Sequence, residues 1–202
     1  MGYIAIVDYG VGNLKSVSNA MAYLGIETRI CGDGRELELA DSIILPGVGA
    51  FPDAADRLRE TGLDQVLLNQ SKKKPMLGIC LGMQLLFEWG DEVRPCQGLG
   101  LISGVVRRME TIQKLPHIGW NSLSFPNDSL LFRGLEKGAC VYFVHSFSGR
   151  PTVSEQVIAV TDYGGPVVAA VRQGQVYGCQ FHPEKSGEVG LTILRNFAEL
   201  SR

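Results

Sequence analysis

The stretch Gly78-Ile79-Cys80-Leu81-Gly82-Met83-Gln84 decides how this sequence folds. Upstream of it, Pro75-Met76-Leu77-Gly78-Ile79 reads as a buried strand; downstream, Leu81 to Trp89 is an apolar, helix-compatible run. A residue on so sharp a strand-to-helix turn is held in a strained backbone conformation with its side chain presented outward. Gly78 and Gly82 remove the Cβ atoms that would crowd such a turn. The centre of this nucleophile-elbow layout is Cys80. The helix start behind it offers free backbone N–H groups for an oxyanion and a dipole that favours negative charge. A lone cysteine is by default a small buried hydrophobe, so a reactive reading of Cys80 requires a base.

Working outward, the first half repeats strand, loop and helix. Tyr3 to Val7 is a short apolar strand running into the turn Asp8-Tyr9-Gly10-Val11-Gly12-Asn13. Asn13 is expected to cap a helix that carries Leu14, Val17, Met21 and Leu24 on one face and closes at Gly25. The glycine pair does not make a dinucleotide site, because Lys15 stands at the third glycine position. Further strands are expected near Glu27 to Ile30 and Ser42 to Leu45, the latter entering Pro46-Gly47-Val48-Gly49. A helical stretch follows over Phe51 to Gln70, broken near Gly62, and Lys72-Lys73-Lys74 reads as a solvated connector. After Trp89 the texture changes to strands: Gly98 to Met109, Cys140 to Phe147, Val157 to Thr161, Pro166 to Arg172 and Val176 to Phe181. A last helix is expected over Gly187 to Leu200. The pattern predicts an α/β fold, an open, mainly parallel sheet flanked by helices with antiparallel additions in the second half, and one domain over residues 1–202.

The bulk properties narrow the function. A formal net charge of −2 gives no basic stripe, which argues against nucleic acid, and no apolar run is long enough for a membrane span. The N-terminus lacks the positive region of a signal peptide, and Ile6 breaks the myristoylation pattern, so cytoplasmic residence is the expectation. The five cysteines, Cys31, Cys80, Cys96, Cys140 and Cys179, are odd in number and form no C-x-x-C. No disulfide framework, metal site or cofactor is expected.

Three histidines are candidates for the base. His182, in Phe181-His182-Pro183-Glu184, alone has a carboxylate within two residues. Pro183 pushes His182 out of the helical region, and an extended segment would present His182 and Glu184 on one side of the chain. Glu184 can then orient the imidazole while His182 addresses Cys80. His117 and His145 are assigned to structure or to a partner surface. Oxyanion donors are expected from the backbone of Leu81 and of the Val48-Gly49 turn, since neighbouring parallel strands end on one edge of a sheet.

Pro46-Gly47-Val48-Gly49, the Gly78–Gln84 stretch and His182-Pro183-Glu184, in this order and at these distances, resemble the triad (class I) glutamine amidotransferases over the whole chain. The resemblance implies that Cys80 attacks the side-chain amide of glutamine, His182 protonates the departing ammonia, and water releases glutamate. It also implies that Gln84 and the backbone around Ser146 and Phe147 hold the α-amino and α-carboxylate groups. Asp8–Leu14, Pro116-His117-Ile118-Gly119-Trp120-Asn121, Tyr142–Ser146 and His182–Ser186 resemble the members that pass ammonia to a separate (β/α)8-barrel cyclase subunit in histidine biosynthesis, as a heterodimer. That implies a cyclase interface near Asn13, Trp120, Asn121 and Lys185, all expected in loops, and low glutaminase activity without the partner. A chain of 202 residues with this site is not expected to hold a synthase domain as well. The residues leave two other readings open: a glutaminase for a different synthase, chorismate-aminating or pyridoxal phosphate-forming, and a stand-alone γ-glutamyl peptidase.

Overall fold

A computed structural model gives the fold, and residues 2–201 are described. The first half runs β1 (Ile4–Val7), α1 (Leu14–Tyr23), β2 (Thr28–Cys31), α2 (Gly34–Leu39), β3 (Ser42–Gly47), α3 (Phe51–Glu60), α4 (Leu63–Gln70), β4 (Met76–Cys80) and α5 (Leu81–Leu85). The second half continues with β5 (Phe87–Glu92), β6 (Arg94–Gln97), β7 (Ile102–Arg108), β8 (His117–Ser122), β9 (Cys140–His145) and β10 (Phe147–Pro151). It ends with β11 (Val157–Asp162), β12 (Pro166–Gln173), β13 (Val176–Cys179) and α6 (Gly187–Glu199).

A seven-stranded sheet in the order β11-β12-β13-β4-β3-β1-β2 forms the centre. β2, β1, β3, β4 and β13 are mutually parallel, β12 adds antiparallel to β13, and β11 adds antiparallel to β12. Alternate residues of β1 serve opposite cores, as the period of two requires. Ala5 and Val7 face Leu37, Leu58 and Leu67 of α2, α3 and α4, whereas Ile4 and Ile6 face Met21 of α1 and Leu194 and Phe197 of α6. With both faces covered, β3 and β4 are buried at every position. β4 lies between β3 and β13, so the C-terminal ends of three parallel strands share one edge. Ligands bind at that edge in open α/β sheets.

Several expectations are corrected. The apolar run after Cys80 is not one helix to Trp89: α5 stops at Leu85 and β5 begins at Phe87. β5 pairs with β7 and β6 in a separate four-stranded sheet, β10-β7-β5-β6, and tertiary pairing overrides the run's helix compatibility. The strand expected over Cys140 to Phe147 breaks at Ser146, β9 pairing with β8 and β10 with β7. Pro116 to Asn121 is not a loop either; Trp120 and Asn121 lie on β8. Asn13 heads α1 without a side-chain capping bond. The short helix α2 was not expected, although Asp33 signals it by accepting the Arg35 N–H at 2.8 Å. Lys74 is no mere solvated connector: its Nζ donates to the carbonyls of Leu37, Glu38 and Ala40, which closes the end of α2. Gly62 breaks the long helical stretch as expected, with φ of 71° between α3 and α4.

Candidate active site

Cys80 ends β4 and heads α5 with φ of 55° and ψ of −113°. Such a conformation costs a non-glycine residue roughly 1–3 kcal/mol, so the surrounding contacts must enforce it. The two glycines allow them to. A Cβ on Gly78 would stand 2.6 Å from the Gly82 carbonyl oxygen, and one on Gly82 would overlap the Leu45 carbonyl oxygen. β3, β4 and α5 therefore meet backbone to backbone, and the turn is clamped around Cys80.

His182 follows β13, tied to β9 by its N–H to the Tyr142 carbonyl at 2.9 Å. Ser186 fixes it from the other side, its hydroxyl donating to the His182 carbonyl at 2.6 Å while accepting the Tyr142 N–H at 3.0 Å. His182 is extended, as expected, but Pro183 to Lys185 form a 3-10 turn, so a turn and not an extended chain carries Glu184 back to the ring. The contact is short all the same: His182 Nδ1 to Glu184 Oε1 is 2.7 Å, with both side chains almost wholly buried. Burial by itself would push the imidazole toward its neutral form. The Cys80 sulfur and the hydrogen-bonded Glu184 carboxylate, through the negative charge each can carry, outweigh it and push the His182 pKa up to about 9.

A cleft of about 320 Å3 lies above these residues, at the small end of the range for small-molecule sites. Cys80, Leu81, Val48, Gly49, Gln84, Ser146, Phe147 and His182 all line it. The expected nucleophile, base, oxyanion and ligand-contact residues are thus brought to one place. Glu184 stands behind His182. Asn13 heads α1, Lys185 lies in the turn after His182, and Trp120 is exposed on the outer face of β8 beside Tyr142, ring centroids 6.0 Å apart.

Two details refine the ligand side. Gln84 Nε2 spends its hydrogens on the Phe147 carbonyl and on Gln180 Oε1, both at 3.0 Å, leaving its own carbonyl oxygen for a ligand. The Phe147 carbonyl also accepts His145 Nδ1–H at 2.8 Å, so both of its lone pairs are filled from within the protein. Sequence reasoning missed Gln180, whose Nε2 donates to the Cys80 sulfur at 3.8 Å, and Glu92, which lines the cleft and accepts the Phe51 N–H at 2.8 Å. It also missed Tyr9, whose buried hydroxyl donates to the Pro46 carbonyl at 2.9 Å beneath the Val48-Gly49 turn. Only the position of Gln180, two residues before His182 at the end of a buried strand, carried a usable signal.

Residues 5–200 match the family model described as glutamine amidotransferase class-I. The chain belongs to the class-I glutamine amidotransferases. Within that family it is 48% identical over 195 residues to the imidazole glycerol phosphate synthase subunit HisH of Bacillus thuringiensis (strain Al Hakam), covering 96% of this chain and 93% of the relative. It is 49% identical, over the same shares, to the subunit of that name from Bacillus cereus (strain ATCC 14579). Among solved structures, one titled PurLQS from Thermotoga maritima superposes with a TM-score of 0.79 over 98% of both chains at 22% identity, which shows a shared fold.

Proposed function

We propose that this amidotransferase hydrolyses glutamine at Cys80 and passes the ammonia to a separate cyclase subunit, together forming imidazole glycerol phosphate synthase of histidine biosynthesis. The observation that carries the reading is the strained Cys80 sharing a cleft with His182, itself held by Glu184 at 2.7 Å, in a chain nearly half identical to HisH subunits. The chain acts as one amidotransferase domain in the cytoplasm, with the cyclase as heterodimer partner. HisH relatives at this identity favour the cyclase over other synthases and over a peptidase.

The chemistry follows from the geometry. Cys80 gives its proton to His182 and its sulfur attacks the amide carbon of glutamine. Negative charge collects on the amide oxygen, where the Leu81 N–H at the head of α5 and a backbone N–H of the Val48-Gly49 turn stabilise it. His182, held by Glu184, hands that proton to the departing nitrogen, so ammonia leaves and a γ-glutamyl thioester remains. His182, now neutral, takes a proton from water. The hydroxide adds to the thioester, the C–S bond breaks and glutamate departs. Glu184 keeps one tautomer and one orientation of the ring throughout. Gln84 meets the α-amino group through its free carbonyl oxygen. Asn13, Trp120, Asn121 and Lys185 lie at or near the cyclase contact.

The test is glutamate release from glutamine by the pure chain with and without a cyclase subunit and its ribonucleotide substrate. Strong stimulation that Cys80→Ala abolishes is the expected result. High turnover by the chain alone, unchanged by any cyclase, would refute the partner.

A further inference from the structure

A chain of hydrogen bonds leads from the cleft into β8 and is one proton short. Phe147 O meets His145 Nδ1 at 2.8 Å; His145 Nε2 meets His117 Nδ1 at 3.2 Å. His117 Nε2 meets Asn121 Oδ1 at 2.8 Å, and Asn121 Nδ2 meets Asp162 O at 2.9 Å. Both ends are backbone carbonyls, which only accept. Three groups bridge them through four contacts, and a neutral imidazole or an amide donates on one side while accepting on the other. Three donors cannot serve four contacts. With the Asn121 amide as placed, His145 must carry hydrogen on Nδ1 and His117 on Nε2, so two lone pairs oppose each other between the rings. Turning the Asn121 amide over moves the mismatch to Asp162 O without removing it. One added proton, shared between the rings, completes the chain.

The cleft wants that charge. Glutamine carries an α-carboxylate, yet among the described residues no lysine or arginine lines the cleft, and the acidic Glu92 does. His145 and His182 are the lining side chains that can become positive, and His182 is committed to Cys80 and Glu184. His145 has both ring nitrogens engaged and would act through its charge and through the Phe147 carbonyl, which also holds Gln84. We propose that His117 and His145 bind one shared proton when glutamine enters the cleft, and that this pair positions the Phe147–Gln84 side of the glutamine pocket. The proposal rests on the glutaminase reading above.

The surroundings set the balance. Burial holds both rings toward their neutral forms, and His182, which lines the same cleft, opposes further positive charge near His145. His117 is sandwiched between Phe143 and Tyr163, ring centroids at 4.7 and 3.9 Å. The Tyr163 hydroxyl is turned away to the Lys114 carbonyl, and one Asp162 carboxylate oxygen accepts the N–H groups of Gly164 and Gly165. Glu184 is engaged with His182, and the Cys80 sulfur accepts from Gln180. Among the described residues no carboxylate is bonded to either ring of the pair, so an arriving one changes its balance most.

The experiment is nitrogen-15 NMR of the histidines in the full Cys80→Ala chain, titrated with and without saturating glutamine. His117→Phe, which keeps the stacked ring and removes its nitrogens, supplies the assignment. Expected without ligand are the Nδ1–H tautomer for His145, the Nε2–H tautomer for His117, and one joint proton uptake with a midpoint below 6.5. Glutamine raises that midpoint by roughly three units, toward neutrality, about a thousandfold gain in proton affinity. In the active enzyme with cyclase, His117→Phe raises KM for glutamine roughly tenfold, the scale of one lost hydrogen bond, with kcat changed less. Separate one-proton titrations of the two rings, or a midpoint unmoved while other resonances report bound glutamine, would overturn the proposal. A chain in which no resonance responds to glutamine would instead overturn the glutaminase reading, and the ligand-free titration would still decide whether the pair holds one proton.

Discussion

His182 and His145 line one cleft, both nearly inaccessible to solvent, yet their proton affinities diverge. His182 is pushed up to about 9, while burial pushes His145 down to about 4 despite its bond to the Phe147 carbonyl. The difference is the partner. A carboxylate and a sulfur can each carry a full negative charge, so the imidazolium is matched; a peptide carbonyl offers only a dipole, and desolvation wins. His182 is built to hold a proton and His145 to refuse it until a charge arrives. That asymmetry marks where chemistry is expected and where positioning is.

The sharpest way to break the comparison is at its reactive end. Cys80→Ala removes the nucleophile and lowers cyclase-stimulated glutamate release by roughly 10^4-fold or more, with the thermal unfolding midpoint close to the parent's. Next, Glu184→Gln replaces the carboxylate at His182 with an amide carbonyl. The His182 pKa, followed by NMR, drops toward or below 6.5, and kcat falls by roughly 10^2–10^4-fold.

The clamp around Cys80 is tested by Gly82→Ala. The added Cβ overlaps the Leu45 carbonyl, and calorimetry should show a loss of about 3 kcal/mol or more, or no folded protein.

The pH dependence of stability sharpens the contrast. His182 binds its proton more tightly in the fold, so its contribution is complete below 6.5 and is lost as pH rises through about 9. His145 binds its proton more weakly in the fold. Its contribution is present above 6.5 and is lost as pH falls toward 4, by up to about 3 kcal/mol. Denaturant midpoints should therefore peak near neutral pH, and His145→Gln should flatten the acid limb while leaving the alkaline limb.

The smallest effect on the fold is expected away from both histidines. Trp120→Ala, at an exposed position of β8, changes stability by less than about 0.5 kcal/mol in melts of the chain alone. It weakens cyclase binding in a titration by more than about 1 kcal/mol if Trp120 lies at the contact.

How much of this was legible in the sequence follows the range of the forces. The parallel half was readable because its signals are local: apolar strand runs, glycine punctuation and the bracket around Cys80. The proximity of His182 to Glu184 was readable from spacing, though the route was a 3-10 turn and not an extended chain. What escaped depends on partners far away in the chain. Phe87 to Trp89 reads as helix-compatible until β7 and β6 pair with it, and Pro116 to Asn121 reads as loop until β9 lies alongside. The hydrogen bonds of Gln180 to Cys80 and of His145 to His117 span 100 and 28 residues, beyond any local pattern.

One measurement bears most directly on the whole account: glutamate formation from glutamine, by the wild-type chain and by Cys80→Ala, each with a cyclase subunit and its ribonucleotide substrate. The account predicts strong cyclase-dependent turnover by the wild type and none above background by the variant. Turnover that survives Cys80→Ala would contradict it.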